Sequence, residues 1–255
     1  MESMDDTHHT RHIPQKITNM EVVDFHSHIL PGADHGSSSV ETSIKQLDNA
    51  IANGVKRIVA TPHFYPTKHL LDDFLSRRER SYSKLKDALT THTPEIRIGA
   101  EVLVCEGISR MPGIEKLCIE GTSYILVEMP FEKWTDEMIR NIERLSTRGF
   151  VPIIAHVDRY INFQHGLNRF YQLQEIGAML QMNADYLTNF WTKRKALSFF
   201  KRGLISALGS DGHNMTSRPP KIKDAYDYLK AHLSKEQMNR FVVQQKMIIK
   251  NAVEL

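Results

Sequence analysis

The sequence has few cysteines, no long apolar run and almost no surplus of charge. Its 255 residues include two cysteines, Cys105 and Cys118, which excludes a disulfide framework and favours a reducing compartment. No stretch contains the roughly 20 apolar residues that a membrane-spanning helix needs, so we expect no integral membrane protein. The formal net charge of +3 is too small to indicate nucleic acid or an anionic membrane as the main partner.

The first residues also lack the apolar core of a secretory signal peptide. They are polar, and we predict a flexible arm over residues 1–19. No linker rich in Pro, Gly or Ser interrupts the remaining chain, so we predict one domain over residues 20–255. Hydrophobic residues make up 41% of the sequence and charged residues 25%, a balance that allows a sizeable core.

Short runs of β-branched and aliphatic residues alternate with segments of helical periodicity. The predicted strands lie at 21–25, 57–60, 95–104, 124–127, 150–155, 178–182 and 204–208. The predicted helices lie near 40–53, 70–90, 134–148, 167–176, 193–202, 221–233 and 235–252. This alternation predicts an α/β fold, and we expect a distorted, TIM-like (β/α)7 barrel. An open doubly wound sheet is the alternative, disfavoured because no Gly-rich phosphate loop follows the first strand.

Histidine is the residue type in excess, with thirteen copies, and it is the commonest metal ligand among side chains. In barrels of this kind the functional side chains follow the C-terminal ends of the strands. Six of the seven predicted strands end in potential metal ligands, which are His26, His28, His63, Glu101, Glu128, His156, Asp211 and His213. We therefore predict a metal centre at this end of the barrel.

The spacing of these residues supports the prediction. His26 and His28 are two residues apart, so on an extended strand both point to one face. Asp211 and His213 repeat that spacing on the last strand, which closes beside the first. The carboxylate of Glu101 can bridge two metal ions. Imidazole together with carboxylate suits Mn²⁺, Fe or Zn²⁺ better than Ca²⁺ or Mg²⁺.

Two further features adjoin the predicted centre. The loop over residues 29–36 is a tight turn that can bring Asp34 or His35 back over the metals. Arg159 and Arg218 follow closely after metal-ligand candidates, and guanidinium groups bind phosphate oxygens in pairs of hydrogen bonds. Metal ions together with arginines indicate a phosphate ester as substrate.

Seven motifs occur in order between residues 21 and about 220. They are Asp24-x-His-Ser-His-Ile-Leu-Pro-Gly32, Ala60-Thr-Pro-His63, Gly99-Ala-Glu101, Tyr124-Ile-Leu-Val-Glu128, Pro152-Ile-Ile-Ala-His156, Arg159-Tyr160 and Ser210-Asp-x-His-Asn214 with Arg218-Pro-Pro220. As a set they resemble the polymerase and histidinol phosphatase (PHP) superfamily. The closer resemblance is to the capsular-polysaccharide type of bacterial protein-tyrosine phosphatase.

The resemblance implies a distorted barrel with three divalent metal ions, commonly Mn²⁺. The implied ligands of the first metal are His26, His28, Glu101 and Asp211. Those of the second are Glu101, Glu128 and His156, and those of the third are His63, His213 and His35. Arg159, Arg218 and Asp211 are the implied catalytic residues.

This chain departs from the family pattern at two places. It has Asp34-His35-Gly36 where the family has Asp-Asp-Gly, so a neutral ligand replaces a charged one at the third metal. It also has His156-Val-Asp-Arg159 where the family usually has His-Pro-Glu-Arg. The ligand and the arginine are kept there, and we expect only a local change of the loop.

The resemblance further implies hydrolysis of phosphotyrosine by a metal-activated hydroxide. The implied partner is the phosphotyrosine tail of a membrane-bound tyrosine kinase of capsule or exopolysaccharide synthesis, in the bacterial cytoplasm. A PHP-type small-molecule phosphoesterase, such as a histidinol phosphatase, is the alternative. An amidohydrolase or nuclease barrel also opens with His-x-His but orders its later ligands differently. A cysteine phosphatase needs Cys-x₅-Arg, whereas Cys105 and Arg110 are one residue too close.

Overall fold

The computed structural model describes residues 20–250, and the predicted arm over residues 1–19 lies outside this range. The strands are β1 (Val22–Ser27), β2 (Val55–Ala60), β3 (His63–Phe64), β4 (Glu95–Ile98), β5 (Glu101–Leu103), β6 (Tyr124–Glu128), β7 (Val151–Ile154), β8 (Met179–Asn183) and β9 (Ala207–Gly209). The α-helices are α1 (Val40–Ala52), α2 (Leu71–Lys86), α3 (Asp136–Thr147), α4 (Asn168–Glu175), α5 (Ala184–Thr188), α6 (Lys193–Lys201), α7 (Ile222–His232) and α8 (Lys235–Ile249).

All strand pairs are parallel, in the orders β1-β2-β4 and β3-β5-β6-β7-β8-β9. The third predicted strand, 95–104, is divided into β4 and β5, and the short strand β3, which was not predicted, follows β2 after a break. The break after β2 falls at Pro62, which has no N–H to donate to a neighbouring strand. Hydrogen bonds continue across both breaks, because Gly99 N donates to Ala60 O at 2.9 Å and Glu101 N donates to Pro62 O at 3.1 Å.

The sheet closes where the last strand meets the first. Asp211 N donates to His26 O at 2.8 Å, and His28 N donates to Gly212 O at 3.1 Å. Closure removes both open edges of the sheet. The expected TIM-like barrel is therefore confirmed, and the open doubly wound alternative is wrong.

Two apolar layers hold the barrel together. The larger one lies between the strands and the surrounding helices. The smaller one fills the barrel interior, and its buried members are Val23, Phe25, Val59, Ile119, Leu126, Ile153, Ala155, Ala207 and Ile248. Ile248 belongs to α8, so the last helix of the described chain contributes directly to the interior.

The helices begin and end close to their predicted limits, apart from α2, which ends four residues early at Lys86. Side chains cap three of them, since Ser39, Thr135 and Ser234 each accept a hydrogen bond from the first turn. The short helix α5 and the 3₁₀ turns at Ile108–Arg110, Ile114–Leu117 and Val157–Tyr160 were not predicted. Within residues 20–250, no helix combines the length and apolar character that crossing a membrane demands.

The position of Ile248 gives a test of the interior layer. We expect Ile248→Ala to lower the free energy of unfolding by about 2–4 kcal/mol, because the truncation leaves a cavity among buried side chains. Urea denaturation measures the change. The matched control is Met247→Ala on the same helix, where the side chain is 51% exposed and the expected change is within about 0.5 kcal/mol. Equal effects of the two substitutions would contradict this assignment.

Candidate metal centre

The residues predicted as metal ligands lie together at the C-terminal end of the barrel. Eight of them are buried, and His35 is exposed at the edge of the group. Three sets have donor atoms within 4.8 Å of one another: His26, His28 and Asp211; His28, His63 and His213; and His63, Glu101 and Glu128.

The first cluster surrounds one oxygen of Glu101. Nε2 of His26 and Nε2 of His28 lie 3.1 Å apart. Oε2 of Glu101 lies 3.2 Å from the first nitrogen and 3.4 Å from the second. Oδ1 of Asp211 lies 3.4 Å from His28 Nε2. These are the four residues that the family pattern implies for one metal.

A bulge in β1 turns the two histidines inward. The three steps from Asp24 to Ser27 lie opposite only two steps on β2, from Ile58 to Ala60. The extra residue breaks the alternation of side chains, so Phe25 packs in the interior layer while His26 also faces the site. Asp24 turns away and accepts a hydrogen bond from Ser210 N at 2.8 Å, which ties β1 to the end of β9.

The second cluster joins the other oxygen of Glu101 to the next two strands. Nε2 of His156 lies 2.8 Å from Glu101 Oε1 and 3.4 Å from Glu128 Oε1. His156 follows β7 with a backbone φ of 33°. This left-handed conformation is costly for a residue with a side chain, and here it turns the imidazole toward the two carboxylates.

The third cluster lies at the open side of the site. Nε2 of His213 and Nε2 of His35 are 3.2 Å apart. The His35 and His63 rings stack with centroids 4.6 Å apart. Nδ1 of His63 lies 2.8 Å from Glu101 Oε2, which connects this cluster to the first.

Asp34 lies outside the cluster and orients His28 and His63. Its Oδ2 lies 2.7 Å from His28 Nδ1 and accepts a hydrogen bond from His63 N at 2.9 Å. A carboxylate on the far nitrogen of an imidazole fixes the tautomer that leaves Nε2 free as a ligand. The other oxygen of Asp34 accepts from Gly36 N at 2.8 Å and holds the turn.

Gln181 supports the site and was missed by the sequence-based prediction. Its Oε1 lies 3.1 Å from His26 Nδ1 and accepts a hydrogen bond from His156 N at 2.7 Å. Its Nε2 donates to Asn183, whose own amide donates to Asp211 Oδ2 at 3.1 Å. The available signal was a pair of amide residues two apart within the otherwise apolar β8.

The electrostatics of the cluster favour a bound cation. Burial alone would raise the pKa of Glu101, but His26, His156 and His28 outweigh that effect and hold its pKa well below the usual range. The pKa of Asp211 is lowered in the same way by His26, His28 and Arg159 against the effect of burial. Both carboxyls are therefore ionised.

The surroundings shift the pKa values of the histidines in different directions. Burial and the neighbouring His28 lower the pKa of His213 to about 3, so its imidazole is neutral and able to ligate a metal. Burial opposes protonation of His28 as well, but hydrogen bonds with Asp211, Asp34 and Glu101 raise its pKa well above the usual value.

Three buried atoms of the predicted ligands lack a well-aligned hydrogen bond among the residues that the structure describes: Nδ1 of His63, Oε2 of Glu101 and Nδ1 of His156. The first two lie 2.8 Å apart. Buried polar atoms are rarely left unpaired, because desolvation is then uncompensated. A divalent cation between the His63 imidazole and the Glu101 carboxylate would satisfy these first two atoms. The residues present therefore fit the metal ions that the family pattern implies.

The two predicted arginines converge on Asp211. Guanidinium nitrogens of Arg159 and Arg218 both contact its Oδ2. A small cavity of about 80 Å³ lies beside them, and Asn183 and Lys221 are also among its lining residues. Three cationic side chains and two carboxylates, Asp185 and Asp211, thus border one cavity next to the metal-ligand cluster. The cations are in excess, so the cavity can accept a phosphate group.

Comparison with known proteins agrees with this arrangement. The profile of the family described as "Capsular polysaccharide synthesis, CpsB/CapC" matches residues 22–251. The chain belongs to this family.

Individual relatives match over almost their whole length. The tyrosine-protein phosphatase CpsB of Streptococcus pneumoniae is 27% identical over 244 residues, which cover 89% of this chain and 98% of that protein. The tyrosine-protein phosphatase YwqE of Bacillus subtilis (strain 168) is 26% identical over 242 residues, covering 90% and 92%.

A solved structure from work on YwqE of Bacillus subtilis and CpsB of Streptococcus pneumoniae shares the fold. Those proteins are described as "unique metal-dependent tyrosine phosphatases". The TM-score is 0.78 at 23% identity, and the match covers 90% of this chain and 94% of that chain.

Aromatic side chains flank the site in this member of the CpsB/CapC family. The Tyr65 ring stacks on His63 at 5.3 Å, and the Phe131 ring stacks on His156 at 5.8 Å. Phe131 is 49% exposed and was not singled out from the sequence. It follows Glu128-Met-Pro130, so the signal was an aromatic residue just after a strand end.

Neither cysteine has the lowered thiol pKa of a catalytic nucleophile. Burial, with the charge of Glu115, raises the pKa of the Cys118 thiol to about 12. Burial also raises the pKa of Cys105. A nucleophilic cysteine needs a lowered pKa, so neither thiol is prepared for cysteine-phosphatase chemistry.

The close approach of β9 to β1 can be tested at Gly209. A Cβ there would lie 2.4 Å from His26 Cβ and 2.7 Å from Gln181 Nε2. We expect Gly209→Ala to lower the free energy of unfolding by about 1–3 kcal/mol, since the strands must shift to admit the methyl group. Gly99→Ala is the control, because its Cβ would meet atoms no closer than 3.6 Å. Unfolding in urea should distinguish the two, and a Gly209→Ala protein as stable as the control would refute the tight contact.

Proposed function

We propose that this chain is a metal-dependent protein-tyrosine phosphatase. The observation that carries the proposal is the cluster of six histidines and three carboxylates, all buried except His35, with two arginines beside it. Membership of the CpsB/CapC family supports it, because relatives matched over nearly their full length are named tyrosine-protein phosphatases.

Three divalent ions, Mn²⁺ in the first place and Fe or Zn²⁺ as alternatives, suit this donor set. We assign the first to His26, His28, Glu101 and Asp211, the second to Glu101, Glu128 and His156, and the third to His63, His213 and His35. When bound, such ions polarise the phosphoryl group and lower the pKa of water. His35 replaces an acidic residue of the family pattern, so the third position carries one negative charge fewer.

The protein's own residues bind and orient the phosphate. Arg159 and Arg218 are each about one-third exposed, so their guanidinium groups can donate to phosphoryl oxygens from the cavity. Asp211 holds both arginines in place through one oxygen. Asn183 donates to that same oxygen, which steadies the carboxylate. This positioning prepares both arginines to hold the phosphate, and the proposed reaction requires no covalent intermediate on the enzyme.

The aromatic ring of the substrate fits against Phe131. This side chain is half exposed and already stacked on His156, so a phosphotyrosine ring can pack on it while its phosphate reaches the arginines. A phosphoserine side chain is too short to make the same contact. The arrangement therefore favours tyrosine.

We further propose that the natural substrate is the phosphotyrosine tail of a membrane-bound tyrosine kinase of capsule or exopolysaccharide synthesis, in the bacterial cytoplasm. The family description supports the connection with capsule synthesis. A flexible tail can enter the site because Arg159, Arg218 and Phe131 of the site are accessible from solvent. A PHP-type small-molecule phosphoesterase is the second candidate, and greater kcat/KM for histidinol phosphate than for phosphotyrosine peptides would favour it.

Metal removal tests the chemistry. We expect EDTA to abolish hydrolysis of p-nitrophenyl phosphate and added Mn²⁺ to restore it, with bound metal followed by elemental analysis. Glu101→Gln should lose both metal and activity, since it removes the charge shared by the clusters. Glu106→Gln, an exposed glutamate on the next loop, is the matched control and should keep both. Full activity of a metal-free protein would contradict the proposal.

Phe131→Ala tests the ring contact. We expect about a three- to tenfold increase in KM for a phosphotyrosine peptide, because an aromatic pair contributes about 0.5–1.5 kcal/mol. Steady-state kinetics should show little change in kcat, and little change in either constant for a phosphoserine peptide. Phe131→Tyr should behave like the unaltered protein. Phe163→Ala removes another partly exposed ring and serves as control. A fall in kcat for every substrate would instead mean that Phe131 only supports His156.

A further inference from the structure

The turn between α5 and α6 exposes two large aromatic side chains. Phe190 is 71% exposed and Trp191 is 86% exposed. Their rings meet edge to face with centroids 5.2 Å apart, so they form one small apolar projection. We call Phe190–Lys195 the aromatic turn. Two adjacent aromatic side chains that are this exposed indicate a surface that binds an apolar partner.

Three cationic residues adjoin the two rings: Lys193, Arg194 and Lys195. Nζ of Lys193 lies 5.1 Å from the Phe190 ring centroid, so charge and apolar surface are in contact. Arg194 and Lys195 are exposed. The net charge of the whole chain gave no sign of this surface, because the excess is local.

The aromatic turn lies at the same end of the barrel as the metal-ligand cluster. It follows α5, which begins directly after β8, whose last residue is Asn183. Nζ of Lys195 lies 3.4 Å from Oδ1 of Asn162, a residue just beyond the turn that follows β7. Phe163, next to it, is 41% exposed. The aromatic turn therefore lies beside the loops that follow β7 and β8, at the end of the barrel that carries the site.

We propose that the aromatic turn docks on the surface of an anionic lipid bilayer. Phe and Trp side chains insert at the boundary between headgroups and acyl chains, and adjacent Lys and Arg bind anionic headgroups. The two rings project from a turn, a shape suited to penetrating a soft interface. Docking would hold the barrel opening toward the bilayer. The proposal rests on this surface alone and does not require the phosphatase function.

Tryptophan fluorescence provides a direct test, because the chain has two tryptophans. Trp134 is 1% exposed, so a blue shift on binding reports on Trp191. The full chain is mixed with vesicles of phosphatidylcholine and phosphatidylglycerol, or of phosphatidylcholine alone. We expect a blue shift and co-sedimentation with the anionic vesicles only. The shift should persist in the Trp134→Phe protein.

Variants separate the two contributions. Phe190→Ser combined with Trp191→Ser should weaken vesicle binding about tenfold or more, through loss of apolar insertion. Lys193→Gln, Arg194→Gln and Lys195→Gln should each weaken it about fivefold, in keeping with the attraction per charge at an anionic surface. Met247→Ser removes an exposed apolar side chain from α8 and should leave binding unchanged. Circular dichroism establishes that each variant is folded.

Several outcomes would overturn the proposal. These are no binding of the full chain to anionic vesicles, equal binding to neutral ones, or binding that the double serine variant retains. A blue shift without vesicles that grows with protein concentration would mean self-association through the same turn. A blue shift with an acidic tyrosine-containing peptide but not with vesicles would mean a protein partner. Hydrolysis of p-nitrophenyl phosphate should be unchanged in the double serine variant, so failure of docking and failure of the phosphatase proposal are distinguishable.

Discussion

The buried carboxylate of Glu101 is the group on which the arrangement of the site depends. Its two oxygens lie within 3.2 Å of ring nitrogens of His26, His63 and His156, which come from three separate parts of the barrel. A buried charge is stable only when it is paired and hydrogen-bonded. The surrounding strands therefore have to keep this register at their C-terminal ends. The same charge makes the cluster attractive to cations.

The backbone is strained or crowded where the site requires it. Within residues 20–250, the non-glycine residues with positive φ are His156 and Asp211, both in the cluster. A Cβ at Gly36 would lie 2.3 Å from His28 Cβ, so only glycine lets that loop approach β1. Such conformations cost on the order of 1–3 kcal/mol each. The apolar layers inside and outside the barrel offset this cost.

Much of the fold could be predicted from local pattern. The alternation of apolar runs with helical periodicity placed all seven strand positions and seven of the helices. The pattern missed α5 because five residues are too few to show a period. It also missed Gln181 and Phe131, because their significance depends on partners 25 or more residues away in the chain. Metal-ligand candidates were easier to find, since each follows a strand end.

By itself, the sequence determined the order of strands and helices, the residue types at each strand end and the scarcity of cysteine. These depend on periodicities of two and 3.6 residues, which are local to the chain. Only the tertiary structure decided that β1 carries a bulge, that Arg159 and Arg218 meet on Asp211, and that Trp191 projects into solvent. Register and exposure arise from packing between segments far apart in sequence, and no local pattern encodes them.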